Sequence, residues 1–206
     1  MQYTHYGDSS ITVSTVHGNL DTRAKVGHIS RNINIFAGPD SGWGFSIYVY
    51  GYTDTSGLLR VGSAQLVGVQ ILNGGQLDST NSPLVFKNLI GGNYSSYVAQ
   101  SSFVNCKAFC INVDTANNVT IINNVLTNAW VFGVQITAMK FFTFTNNVII
   151  GITGRPTVDA NSELVACFSA LLPVDAANDY VQVTDNVCQG SVAHGWALPF
   201  VGCGEL

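Results

Sequence analysis

The sequence predicts an all-β protein that folds as a right-handed parallel β-helix, a solenoid of short strands stacked coil upon coil. Three observations lead to this prediction. An Asn-Asn pair recurs in matched contexts, short apolar alternations flank each pair, and no segment shows a helical period of useful length. Hydrophobic residues make up 47% of the chain and charged residues only 10%, which suits a stacked core with an uncharged polar surface.

The block that contains the Asn pair occurs three times. Residues 119–126 read VTIINNVL and residues 142–149 read FTFTNNVI, so every position is shifted by 23. The third block, VQVTDNVC at 181–188, is shifted by a further 39. We expect the extra length to form one polar insertion loop near residues 154–163, where Gly and Pro occur. Because a unit as short as one repeat cannot bury its own apolar face, the copies are expected to stack.

A second motif supports the same register. The sequence GVQI at 133–136 follows CINV at 110–113 at the same shift of 23, and it recurs as GWAL at 195–198 at a shift of 62. The shift of 62 equals one short coil followed by the one long coil of the Asn blocks. Alternation at period two turns every second side chain of these segments inward.

The Asn pairs have a structural explanation in such coils. Asn tolerates left-handed backbone angles, so it can turn the chain sharply between strands. A stacked Asn amide can both donate and accept hydrogen bonds along a column, which satisfies buried polar groups. We therefore predict that the second members of the pairs, Asn124, Asn147 and Asn186, form an inward-facing structural ladder.

Composition also bears on partners and location. The net charge is −4 and the eight Lys and Arg residues are scattered, so nucleic acid is not an expected partner. Apolar runs are broken within a few residues, so direct membrane insertion is not expected. Residues 1–206 are expected to form a single domain. Because residues 2–5 offer no signal peptide, the chain is expected either to begin inside a larger protein or to be cytosolic.

Two sequons and five cysteines add to this assignment. The sequons at Asn93 and Asn118 favour N-glycosylation in a secreted protein. Cys106 and Cys110 flank a predicted turn and could form a local disulfide. The spacing of the cysteines matches no zinc motif.

The other cysteines leave the connectivity open. Cys167 and Cys203 are candidates for a disulfide that ties down the insertion and the C-terminal end. Cys188 aligns with Leu126 and Ile149 of the earlier blocks, so it is expected to face inward as a small hydrophobic residue.

The segment RAKVGHISRNINI at 23–35, together with Gly42-Trp43-Gly44 and the GVQI motif, resembles the parallel β-helix region of fibrocystin and fibrocystin-like proteins. The resemblance extends over roughly residues 10–203. It implies a large extracellular or membrane-tethered protein of cilia or other cell surfaces, and protist relatives of this kind are associated with hair-like ciliary filaments. A sister branch, the cell-surface hyaluronidases, carries two histidines on a strand that here reads PLVFK at 83–87, so this resemblance implies no hyaluronan cleavage.

The residues give little support for catalysis. Glycoside hydrolysis usually needs a pair of carboxylates, and Glu163 and Glu205 are the only glutamates. Asp114, Asp175 and Asp185 fall near turns of the repeat, where Asp commonly forms the turn. We therefore predict no catalytic residue, no metal site and no cofactor.

The leading hypothesis is a non-enzymatic extracellular structural or adhesion module, a rigid spacer able to assemble into a cell-surface or ciliary filament. Its expected partners are neighbouring domains or subunits, including further copies of the chain, and glycans. The rival hypothesis is a carbohydrate-active hydrolase or lyase that works in a groove along the coils. A third is a glycan-binding module without catalysis, which would expose aromatic rings in a line.

Overall fold

A computed structural model describes residues 12–15, 18–21, 27–38, 42–91, 94–155, 165–170 and 180–197. Every regular element in these ranges is a β-strand. In chain order the strands are β1 (Thr12–Thr15), β2 (Gly18–Asp21), β3 (Ile33–Phe36), β4 (Ile47–Thr53), β5 (Leu59–Val61), β6 (Gln65–Val67), β7 (Val69–Leu72), β8 (Leu84–Leu89), β9 (Ser96–Ala99), β10 (Ser102–Cys106), β11 (Ile111–Ile122), β12 (Val125–Trp130), β13 (Phe132–Ile136), β14 (Met139–Thr145), β15 (Val148–Thr153), β16 (Ala166–Ala170), β17 (Val181–Thr184), β18 (Val187–Gln189) and β19 (His194–Ala197).

Most of these strands pair in parallel and form three faces. Face A contains β4, β8, the first half of β11, β13, β16 and β19. Face B contains β6, β9, the second half of β11, β14 and β17. Face C contains β3, β7, β10, β12, β15 and β18. The chain visits A, B and C in turn, which confirms the predicted parallel β-helix.

The long strand β11 runs from face A to face B without a break. Its backbone bends where Thr115 and Asn118 adopt positive φ angles of 57° and 56°. Residues before the bend pair with β8 and β13, and residues after it pair mainly with β9 and β14. These two residues with left-handed backbone angles therefore form the corner between faces A and B. In the other coils, that corner lies between two separate strands.

The register of the middle coils repeats at the shift of 23 predicted from the Asn blocks. Beyond β15 the spacing grows in two steps. Phe132 of β13 pairs with Ala166 of β16, a shift of 34, and Phe142 of β14 pairs with Val181 of β17, a shift of 39. The extra length expected in one loop near 154–163 is therefore divided. The larger part enters between β15 and β16, and a smaller part between β16 and β17.

Inward side chains align in columns that share one core. On face C the column consists of Ile35, Ile71, Phe103, Leu126, Ile149 and Cys188. Phe142 and Phe144 of face B meet Phe168 of face A, whose ring centroid lies 5.1 Å from that of Phe144. Each fully buried side chain of this size stabilises the fold by about 1.5–3 kcal/mol. Stacking thus supplies the core that one coil lacks.

The first coils are longer and less regular. Ile47 of β4 pairs with Leu84 of β8 at a shift of 37, and Ile33 of β3 pairs with Val69 of β7 at a shift of 36. Face A begins with an antiparallel hairpin of β4 and β5, and β1 pairs with β2 in a separate antiparallel pair.

Candidate functional site

The inward ladder lies at the start of face C. The side-chain amide of Asn124 donates to Oδ1 of Asn147 at 3.0 Å, and that of Asn147 donates to Oδ1 of Asn186 at 2.9 Å. The same oxygens accept the backbone N–H groups of Asn124 and Asn147, each at 2.9 Å. Asn124 and Asn147 are buried, and Asn186 is half-buried. The three predicted residues therefore satisfy one another and the backbone of adjacent coils.

A serine carries the ladder one coil further towards the N-terminus. The backbone N–H of Ser101 donates to Oδ1 of Asn124 at 2.9 Å, and Val69 N–H donates to the hydroxyl oxygen of Ser101 at 3.2 Å. The Ser101 hydroxyl in turn donates to the carbonyl of Ala99 at 2.9 Å. Ser101 lies 23 residues before Asn124, one coil length, so the repeat period is the sequence signal for this position.

The first member of each pair turns the chain. Asn123, Asn146 and Asp185 have positive φ angles of 57°, 55° and 57°. Asn and Asp adopt this backbone region at lower cost than most residues. On the outer side of the turn, the amide of Asn146 donates to Oδ1 of Asn123 at 2.6 Å. The first member of each pair therefore turns the chain, and the second member forms the inward ladder.

A further ladder was missed by the sequence reasoning. Asn128 donates to Oδ1 of Asn105 at 3.1 Å, and Asn105 donates to Oδ1 of Asn73 at 3.3 Å. All three have positive φ angles, and in the next coil Gly151 takes the same conformation with φ 72°. A Cβ atom at Gly151 would lie 2.8 Å from Oδ1 of Asn128. The sequence does not reveal this column, because its fourth position is Gly and its members share a positive φ angle rather than one residue type.

The described cysteines form two disulfides. Cys106 is bonded to Cys110 across the turn between β10 and β11. Cys167 is bonded to Cys188, with Cα atoms 5.9 Å apart, so the suggested pairing of Cys167 with Cys203 is wrong. Cys188 does lie in the inward column of face C, as its alignment predicted, but as a disulfide-bonded residue. Cys203, the suggested partner of Cys167, lies outside the described residues. Two disulfides indicate an oxidising environment.

Glycines explain how Cys167 reaches Cys188. Cys167 occupies the position held by Gly133 one coil earlier and by Gly195 one coil later. A Cβ at Gly133 would approach the Ile149 side chain of face C to 2.8 Å, so this column runs directly beside face C. A cysteine placed there meets the cysteine that follows Ile149 in the face C column.

Of the two sequon asparagines, only Asn118 lies among the described residues. Asn118 lies half-buried at the bend of β11, where its φ angle is 56°. Asn93 lies outside the described residues. Glycosylation at either position stays a prediction.

Charged side chains on face A are paired. Nζ of Lys87 lies 2.8 Å from a carboxylate oxygen of Asp114, and this hydrogen bond and charge raise the pKa of Lys87 above its usual range. Asp54, in the turn of the β4–β5 hairpin, accepts hydrogen bonds from the Ser56 hydroxyl and the Leu58 N–H and pairs with Arg60 at 3.0 Å. These contacts, the Ser56 bond first, lower the pKa of Asp54.

The structure describes only some of the other acidic residues that were considered for catalysis. Asp185 turns the chain at φ 57°, and Glu163, Asp175 and Glu205 fall outside the described ranges. Within those ranges, no three His, Cys, Asp or Glu residues are grouped so that they could hold a metal ion. Nor does any described segment form a helix long and apolar enough to cross a bilayer.

A row of tyrosines lies on the outside of face A. Along β4, Val49 and Gly51 face inward and are buried, whereas Tyr48, Tyr50 and Tyr52 face outward with 52%, 45% and 53% of their surface exposed. The rings of Tyr50 and Tyr52 are parallel to within 6°, with centroids 6.4 Å apart. The alternation YVYGY at 48–52 was the available sequence signal for this row.

Comparisons of the chain with protein-family models, with curated proteins and with solved structures find no match. The site is therefore interpreted from its own geometry. That geometry comprises internal ladders that hold the coils together and an outer face that carries aromatic rings.

Proposed function

We propose that the chain is a non-enzymatic structural module, a rigid β-helical spacer of an extracellular or cell-surface protein. The observation that carries this proposal is the continuous inward ladder from Ser101 to Asn186, which bonds each coil to the next through buried side chains. Such bonds resist sliding and opening between coils, because each buried amide would lose its partners. Two disulfides add covalent links of the kind found in secreted proteins.

The spacer joins its neighbours, which are other domains or further copies of the chain, through the ends of the coil stack. Among the described strands, β17, β18 and β19 each pair on one side only. Core-column residues are exposed at this end, where Val183 and Trp196 keep 37% and 41% of their surface. Unpaired parallel strands beside exposed apolar columns favour addition of another β-structure. The resemblance of residues 23–35 to the fibrocystin-like β-helix supports a place in a long cell-surface or ciliary filament.

Sedimentation velocity over a concentration series, followed by negative-stain electron microscopy, tests the end-to-end version. We expect the purified chain to form linear particles of increasing length. The double variant Val183→Lys, Trp196→Lys should abolish this growth, because charges would be buried between stacked ends. Ile150→Lys, on the outer side of β15, is the matched control and should leave it intact. A chain that stays monomeric at high concentration contradicts assembly between copies.

Deletion of one coil tests the spacer itself. Removing residues 124–146 takes out one complete coil and joins Asn123 to Asn147 in register. The shortened chain should keep cooperative unfolding, and small-angle X-ray scattering should show its long axis reduced by about 4.8 Å, one strand spacing. Removing only residues 124–135, half of the same coil, should instead destroy the fold. Equal tolerance of both deletions would contradict a stack held by register.

A further inference from the structure

The tyrosine row on β4 consists of Tyr48, Tyr50 and Tyr52. Three large aromatic side chains on one exposed strand form an apolar surface of a kind that marks an interaction site. Tyr combines a rigid apolar ring with a polar hydroxyl and loses little conformational entropy on binding. The row is therefore suited to a ligand with a repeated flat apolar surface and polar edges.

The protein holds the row in place before any ligand arrives. Strand β4 pairs with β8 on one side and with β5 on the other. The hydroxyl of Tyr48 donates to Oδ1 of Asn81 at 3.0 Å, and Nδ2 of Asn88 lies 3.5 Å from the hydroxyl of Tyr50. Behind the row, Gly51 is buried so closely that a Cβ there would lie 2.1 Å from the carbonyl oxygen of Asn88. Such preorganisation lowers the entropic cost of binding.

The charges beside the row select the class of ligand. Lys87 neighbours Tyr50 across the sheet and is paired with Asp114, and Arg60 neighbours Tyr52 and is paired with Asp54. Each positive charge is thus balanced by its own carboxylate. Stacked nucleobases also present repeated flat faces, but their phosphates require a positively charged groove. Balanced charges, and a net charge of −4, favour a neutral ligand instead.

We propose that the tyrosine row binds a neutral polysaccharide whose pyranose rings stack on Tyr48, Tyr50 and Tyr52. The C–H face of a pyranose is flat and apolar, its hydroxyls lie at the edge, and its chain repeats, which suits the parallel rings of Tyr50 and Tyr52 with centroids 6.4 Å apart. The hydroxyls of Tyr48 and Tyr50, which are held by Asn81 and Asn88, add polar atoms beside the rings. This proposal is independent of the spacer function, because it requires only the exposed face of β4.

Affinity gel electrophoresis and isothermal titration calorimetry on the intact chain test the proposal. The probes are soluble β-1,4-glucan, β-1,3-glucan and β-1,4-mannan, with polygalacturonate, single-stranded DNA and a proline-rich peptide as competitors of other classes. We expect at least one neutral polysaccharide to bind, with an affinity that changes little when salt rises tenfold. Tyr48→Ala, Tyr50→Ala and Tyr52→Ala should each weaken binding about two- to tenfold.

Two further variants separate stacking from general damage. Tyr50→Phe keeps the ring and should retain most of the affinity. Tyr180→Ala removes an exposed tyrosine next to face B and should leave binding unchanged. Thermal unfolding of each variant verifies that the fold is intact. The proposal is overturned if no neutral polysaccharide binds, if Tyr180→Ala is as harmful as Tyr50→Ala, or if only the DNA, the peptide or the acidic polymer binds.

Discussion

The middle coils, from β9 to β15, and the first coils, from β3 to β8, differ in their register shifts and in the turns that connect their strands. Middle coils keep a constant register shift of 23 and turn at a single left-handed residue such as Asn123 or Asn146. The first coils use shifts from 27 to 37 and connect their strands by loops and a hairpin. A turn made by one residue fixes the number of residues in the coil. A turn made by a loop allows the length of the coil to vary, as it does from one early coil to the next.

The largest expected contrast between these regions concerns their phenylalanines. Phe144→Ala should reduce the free energy of unfolding by about 3–5 kcal/mol, because the fully buried ring contacts Phe142 and Phe168 and its removal leaves a cavity. Phe36→Ala in β3, where the ring is exposed, should change it by less than about 0.5 kcal/mol. Urea titration followed by tryptophan fluorescence measures both. Similar losses would mean that Phe36 is packed as tightly as Phe144.

A second contrast between the two regions concerns the stability lost when a polar side chain is removed, at Asn147 in the middle coils and at Asn34 in the first coils. Asn147→Ala should cost about 3 kcal/mol, because the backbone N–H of Asn124 and the carbonyl of Ile121 would lose buried partners, and the Asn124 amide would keep only its bond to the carbonyl of Val98. Asn34→Ala in β3 loses one exposed hydrogen bond, to the carbonyl of Arg31, and should cost less than about 0.5 kcal/mol. The same denaturation assay applies. A small effect at Asn147 would show that water or a shift between coils can replace the ladder.

The two disulfides give a smaller contrast. Cys167 and Cys188 are separated by 21 positions along the chain, and Cys106 and Cys110 by 4. Loop-closure entropy predicts stabilisation of about 3 kcal/mol for the longer loop and about 2 kcal/mol for the shorter one. Paired Cys→Ala variants, Cys167 with Cys188 and Cys106 with Cys110, compare them by thermal unfolding. A larger loss from the short loop would mean that it stabilises mainly through native packing.

The smallest expected effect is a response of the hairpin to acid. Because folding lowers the pKa of Asp54, its contribution is complete above the pKa of the unfolded chain and is lost as pH falls through the lowered value. The β4–β5 hairpin should therefore loosen in that acidic range, while the uncharged Asn ladder keeps its bonds. Backbone amide signals of residues 51–61 in NMR spectra measure the change. Asp54→Asn should remove the pH dependence, and a transition that persists in this variant would assign it to another group.

Sequence predicted the fold best where backbone and side chain repeat together. The blocks around Asn124 and Asn147 carry both a turn residue and an inward amide, so their register and ladder could be read directly. Strand β16 could not be aligned in this way, because its sequence ACFSA shares an inward pattern but no residue identities with GVQI. The position of β16 shows that the extra residues of the long coil lie in two connections, one before β16 and one after it.

Other features depended on contacts between distant coils. The bond between Cys167 and Cys188 follows from a column of glycines on a neighbouring face, which spacing along the chain does not reveal. The ladder of Asn73, Asn105 and Asn128 crosses sequence separations of 32 and 23, so no single period detects it. The tyrosine row was visible as an alternation, but only the paired charges beside it distinguish a neutral ligand from a charged one.

The direction of the inward ladder has a consequence for how the chain acquires its structure. Each amide-to-amide bond in it runs towards the next coil along the chain, from Asn124 to Asn147 and from Asn147 to Asn186. A coil that is already formed therefore presents oriented donors to the segment that follows it during synthesis. Folding can nucleate in the regular middle and then propagate one coil at a time, as in a zipper. Each coil that has formed thus provides a template for the register of the coil that follows it.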